Sequence, residues 1–220
     1  MTIEQLAAGF ALTLLCNLTP VSAFASNADA VDGDTIVIGD VTYRLNGIDA
    51  PEYGQTCGVG VSEWGCGQEA TAAMADLVSR QSVRCVAHSE DSYGRVIATC
   101  YAGNIDIGQE MVGRGLAWAF VRYSDIYVTA EREAKRRGLG IWSGPAIPPW
   151  EFRAERWAAA EDESPDGCPI KGNISRNGRI YHPPWSPWYS RTRINTDRGE
   201  RWFCDEAEAR AAGWRAPRWR

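Results

Sequence analysis

The sequence predicts an α+β fold with a small appended module, and three observations carry that expectation. Alternating apolar and polar residues at 35–45 and 81–102 read as strands. Helical spacing at 69–80, 105–119 and 124–140 reads as three helices, and the composition shifts past Trp150. At 220 residues the chain can form one well-cored domain and one small piece.

The first 25 residues hold an apolar run, LAAGFALTLLCNL, followed by Ala23-Phe24-Ala25, a small-x-small pattern of the kind a signal peptidase cuts. The run is too short to span a bilayer. Cleavage after Ala25 is the expectation; MTIEQ lacks Lys and Arg, so an uncleaved anchor is the alternative. Either way the rest is exported, to a periplasmic or extracellular location.

The most chemically loaded stretch is Val31 to Glu52, VDGDTIVIGDVTYRLNGIDAPE. Gly39-Asp40 divides its alternating run into two strands joined by a tight turn. Arg44 then points away from Tyr43 and Leu45, toward the turns that carry Asp34 and Asp49. Several acids converging with one arginine suit a hard cation beside a bound anion, because oxygen ligands suit calcium and a planar guanidinium suits phosphate.

A glycine-rich loop bracketed by Cys57 and Cys66 follows, and then the helix EATAAMADLVSR. Gln81–His88 and Arg95–Ala102 form a hairpin about Asp91-Ser92-Tyr93-Gly94, which sets Cys85 opposite Cys100. The third helix has Ser124 or Asp125 as its cap and Gly138 near its end. Leaving out Cys16 in the signal-like segment, six cysteines remain, an even number that suits an oxidising compartment. Loop lengths pair 57 with 66, 85 with 100 and 168 with 204; no C-x-x-C pair supports zinc.

Taken singly, these residues have ordinary structural roles: a D-G-D turn, a strand arginine, a helix-capping Glu52, packing tyrosines. Their order says more. DGDT, YRLNGIDAPE, DSYGR, MVGRGLAW and a helix ending GLGIW together resemble the staphylococcal nuclease family over residues 30 to 150. The resemblance implies a five-stranded OB-fold β-barrel with three α-helices, and phosphodiester hydrolysis of DNA or RNA. It further implies calcium held by Asp34, Asp49 and the Ala50 carbonyl, Glu52 as base toward water, Arg44 and Arg95 as a phosphate clamp, Asp32 near the metal, and nucleotide contacts at Tyr93 and Tyr123. Ser92 stands where the type enzyme has lysine, and Val121 where it has tyrosine.

Residues 151–167 read as a helical extension and acidic linker, and 168–220 as a module closed by one short helix and a disulfide. Asp205 caps that helix and Gly213 ends it. The module resembles the GN-I-x-x-G-x-I-Y-H piece behind some secreted bacterial nuclease domains, whose role that resemblance leaves open. Relatives with such a tail include exopolysaccharide (succinoglycan) biosynthesis proteins, so an envelope role and a catalytically weak nucleic-acid binder are the alternatives. Residues 26–164 carry 12 Lys and Arg against 21 Asp and Glu, whereas 165–220 carry 11 against 6. The basic tail is expected to add affinity for polyanions without taking part in the chemistry. No stable protein partner is expected, and the chain reads as a monomer.

Overall fold

The computed structural model describes residues 28–217. Cys16 and the expected cleavage point after Ala25 lie outside the described residues. β1 (Ala28–Ala30) passes through the Asp32-Gly33-Asp34 bend into β2 (Thr35–Ile38). β3 (Val41–Leu45) folds back across Gly39, whose φ of 60° suits a residue without Cβ. This register sets Arg44 opposite Thr35, beside the bend.

After β4 (Ile48–Asp49) come α1 (Cys66–Arg80) and the hairpin of β5 (Val83–Glu90) with β6 (Val96–Ala102). Short elements follow: β7 (Ile105–Asp106), α2 (Ile107–Gly113), β8 (Trp118–Ala119) and α3 (Val128–Arg137). α4 (Pro149–Glu161) leads into β9 (Ile170–Ser175), β10 (Gly178–His182), β11 (Arg201–Phe203) and α5 (Glu206–Ala211).

The main sheet runs β1-β2-β3-β6-β5 with β7 beside β6; β3 and β6 are parallel and the other neighbours antiparallel. The expected β-barrel is present as a mixed half-barrel sheet, whose described pairings run along a path that ends at β1 and β5. The helix expected to reach Ala119 stops at Gly113, because Gly115 adopts φ 69° and Trp118-Ala119 pair with Ile48-Asp49 instead. Tyr127, not Ser124 or Asp125, stands at the start of α3, without a side-chain cap bond; Gly138 ends the helix at φ 62° as expected.

Met74, Leu77 and Val78 of α1 join Met111 and Val112 of α2 against Ile36, Leu45 and Ala98 of the sheet in one buried cluster. Ile170, Tyr181, Phe203 and Trp214 form a second cluster under the β10-β9-β11 sheet, with Trp157 of α4 packed on it. Three of the tail's aromatics, Tyr181, Phe203 and Trp214, are therefore part of its own core. Disulfides join Cys57 to Cys66, Cys85 to Cys100 and Cys168 to Cys204, the pairings the loop lengths suggest. Asp205 caps α5 by accepting from Glu208 N at 2.7 Å. Among the described residues no helix is long and apolar enough to cross a membrane.

Two outcomes follow from this packing. A Cβ at Gly67 would stand 1.7 Å from the Glu52 carbonyl oxygen, so Gly67→Ala is expected to cost about 3 kcal/mol in denaturant unfolding, by pushing α1 off the turn that carries Glu52. His182 sits between Ser186 Oγ at 3.2 Å and Asn173 Oδ1 at 3.1 Å, and burial, with Lys171 nearby, pulls its pKa down to about 4. The unfolded chain takes a proton near the usual histidine value, so this contribution is present above that value and is lost as pH falls toward 4. Unfolding at pH 5 should show the C-terminal module weakened by roughly 2 kcal/mol relative to pH 7, and His182→Gln should flatten the dependence.

Candidate active site

The β1–β2 bend is pinned by its own acids. Asp32 Oδ1 accepts from Asp34 N at 3.0 Å, and Asp34 Oδ1 accepts from Thr35 Oγ1 at 3.0 Å. Asp34 Oδ2 accepts from Ala50 N at 2.9 Å, tying the first turn to the segment after β4. That approach needs Gly33, where an added Cβ would stand 2.6 Å from Ala50 Cβ and 2.9 Å from Ala70 Cβ. With Leu45 buried on the core side, Arg44 reaches outward: Nη1 pairs with Asp34 Oδ1, and Nη2 donates to Asp49 Oδ1 at 2.9 Å. Asp49 is 0% exposed. Glu52 is held by its backbone, which accepts from Gln55 N at 2.7 Å and donates to Gln55 Oε1 at 3.2 Å.

A second guanidinium enters from α4. Arg153 Nη2 donates to Asp49 Oδ2 at 2.7 Å, and Nη1 donates to Glu52 Oε1 at 2.7 Å and to Asp49 Oδ1 at 3.2 Å. This residue was not foreseen. It is one of two arginines in EFRAERW, and nothing in that stretch marks it as facing acids about a hundred residues earlier.

On the β5–β6 hairpin, Asp91 organises the tip. Its carboxylate accepts from Tyr93 N at 2.8 Å, from Arg95 N at 2.9 Å and from Arg95 Nε at 2.7 Å. Arg95 lies 5.2 Å from the Tyr93 ring centre. Asp32, Asp34, Arg44, Ala50, Glu52, Tyr93, Arg95 and Arg153 line one cleft of about 530 Å³. Tyr123 is not among its lining residues; it is 69% exposed and packs edge-on against Phe120 at 5.2 Å. The far wall comes from the C-terminal module, through residues such as Tyr181, Glu206, Arg210 and Arg215.

Comparison with known proteins bears on this constellation. The Staphylococcal nuclease homologue family model matches residues 42–144, and a model named ArfC matches 151–216. The chain is 36% identical to the micrococcal nuclease of Shigella flexneri, across 56% of this chain and 76% of that protein. It is 33% identical to an uncharacterised endonuclease of Haemophilus influenzae, across 56% and 69% respectively. The chain belongs to the staphylococcal nuclease family. The succinoglycan biosynthesis protein ExoI of Rhizobium meliloti is also similar, at 36% identity across 52% of this chain and 62% of that protein.

Within this nuclease-family site, burial and charge compete. Burial raises Asp32 above the usual carboxylate range, although Arg44 and Arg95 pull the other way. Burial lifts Glu52 to about 7 against the opposing charge of Arg153, so its carboxyl titrates near neutrality. For Arg153, burial works against the charge, but hydrogen bonds to Asp49 and Glu52 outweigh it and hold the guanidinium protonated.

Whether the acids suit the metal implied by the family can be tested on their hydrogen bonds. A hard cation and a guanidinium compete for the same carboxylate oxygens, although an oxygen that accepts one hydrogen bond keeps a lone pair. Here both Asp49 oxygens accept from guanidinium groups, and both Asp34 oxygens accept from Thr35, Arg44 or Ala50. No cluster of three or more His, Cys, Asp or Glu among the described residues is arranged to hold a metal. Asp34 and Asp49 have the oxygen chemistry a divalent ion takes, but Arg44 and Arg153 occupy those carboxylates in this arrangement, so an ion would have to displace a guanidinium.

Removing Arg153 leaves Asp49 and Glu52 short of a countercharge. Arg153→Met is expected to lower stability in chelator by about 3 kcal/mol, measured by denaturant unfolding. Adding Asp49→Asn to that variant should recover part of the loss, since the neutral amide no longer needs the cation.

Proposed function

We propose that this chain hydrolyses phosphodiester bonds of DNA or RNA, on the observation that Glu52, Arg44 and Arg95 share one cleft with Asp32 and Asp34. Cleaving a phosphodiester at neutral pH takes a water that loses a proton as it attacks, and positive charge on the nonbridging oxygens as charge builds there. Glu52, titrating near 7, is matched to accept that proton. Arg44 is committed to Asp34 and Asp49, so it positions more than it neutralises. Arg95 is held at Nε by Asp91 and keeps its terminal nitrogens for a phosphate, which makes it the residue that engages the developing charge. Tyr93 at the cleft rim offers a ring face to a base or sugar.

Calcium belongs to this reading on donor chemistry, since carboxylate oxygens suit a hard cation, and it requires Arg153 to release Asp49 first. Export belongs to it as well, supported by three disulfides that suit an oxidising compartment. A second reading, a nucleic-acid binder with little turnover, is favoured by Arg153 sitting on both Asp49 and the base.

Steady-state kinetics on a single-stranded oligonucleotide separates the two. Glu52→Gln should lower kcat about 100-fold or more, and Arg95→Ala should lower kcat far more than it raises KM. If both variants keep the full turnover of the parent, these residue roles are wrong; if the parent binds the strand and shows no turnover, the binding reading takes over.

A further inference from the structure

Five arginines line the cleft: Arg44, Arg95, Arg153, Arg210 and Arg215. Four of them are held by hydrogen bonds. Arg44 and Arg153 donate to Asp49, and Arg95 donates to Asp91. Arg215 donates to the carbonyls of Ala216 at 3.1 Å and Asn177 at 2.8 Å. Arg210, on α5 of the C-terminal module, is different. Its Nε and Nη2 are buried and have no hydrogen-bond acceptor. Its Nη2 makes only a long ion pair, 3.8 Å, with Glu206 Oε2, which already accepts from the Tyr181 hydroxyl at 2.8 Å.

The position of this guanidinium gives the unused donors a direction. Arg210 lies 4.6 Å from the centre of the Tyr93 ring, the same ring that Arg95 approaches at 5.2 Å. Two guanidinium planes from different modules therefore meet on one hairpin tyrosine at the cleft wall. The Arg210 side chain is 27% exposed and lines the cleft, its donor capacity is only partly used, and a planar fork matches the paired oxygens of a phosphate or a carboxylate. Because Arg95 and Arg210 approach the same tyrosine ring, a strand with one phosphate at Arg95 can place a neighbouring phosphate at Arg210.

We infer that Arg210 is a substrate-binding residue supplied by the C-terminal module, taking the phosphate next to the one cleaved. This rests on the nuclease reading for the identity of the strand, and it assigns the module a wall of the substrate cleft instead of remote affinity alone. Arg210 does not touch the reacting bond. Its loss weakens binding and leaves the chemical step intact.

The test uses the full chain and a fluorescein-labelled single-stranded oligodeoxynucleotide, with binding read by anisotropy in chelator across a salt series. Arg210→Met should weaken binding about tenfold and make the slope of log K against log salt shallower by about 0.7, the change for one lost phosphate contact on a single strand. Arg210→Lys should restore the slope while recovering only part of the affinity, because it keeps the charge and loses the fork. With cleavage restored, Arg210→Met should raise KM and leave kcat unchanged. If the methionine variant melts early, Arg210→Gln takes its place with the same expected readings. A variant that melts like the parent and binds with the same affinity and slope overturns the assignment, even if the parent cleaves. A parent that binds but does not cleave, with binding that still depends on Arg210, supports the assignment while removing the nuclease reading.

Discussion

Asp49 is a fully buried carboxylate, and a buried anion persists only where cations and hydrogen-bond donors surround it. Two guanidiniums do so here, Arg44 from the main sheet and Arg153 from α4. Each also binds a second acid, Asp34 for the first and Glu52 for the second, so four side chains are fixed relative to one another through Asp49. The backbone is shaped to permit this. Gly33 lets the first turn lie against Ala50, and Gly67 lets α1 start against the carbonyl of Glu52. Charge pairing thus decides where the helix after the main domain must dock.

That docking links the two halves of the molecule. α4 carries Arg153 to the acids and Trp157 to the core of the C-terminal module, so the element that completes the charge cluster also seats the module. The module then faces the cleft with Tyr181, Glu206, Arg210 and Arg215. Its charge excess, basic against an acidic main domain, comes to bear where a polyanion would lie.

Much of this was legible in the sequence wherever the signal is local. Period-two alternation and Gly39 gave the β2–β3 hairpin, and outward pairing from the 91–94 turn put Cys85 opposite Cys100. The acids of DGDT and IDAPE could be placed together because the strands between them are short. Local rules failed where tertiary pairing competes. Helical spacing over 105–119 could not show that Trp118 and Ala119 would pair with β4, nor could Ser124-Asp125 show that Tyr127 would open α3. Arg153 and Arg210 carry no local signature at all, since what distinguishes them is the company of residues about a hundred positions away. The barrel came from resemblance, and the described pairings show it as a mixed half-barrel sheet with β1 and β5 at its ends.

The central claim, that this cluster of acids and arginines cleaves phosphodiesters, is most directly tested by incubating the purified chain with DNA and with RNA, each with calcium and with chelator. The account predicts cleavage of at least one polymer in calcium, lost in chelator and regained when calcium is added back. Intact DNA and RNA in every arm, from a chain that binds them and melts cooperatively, would contradict it.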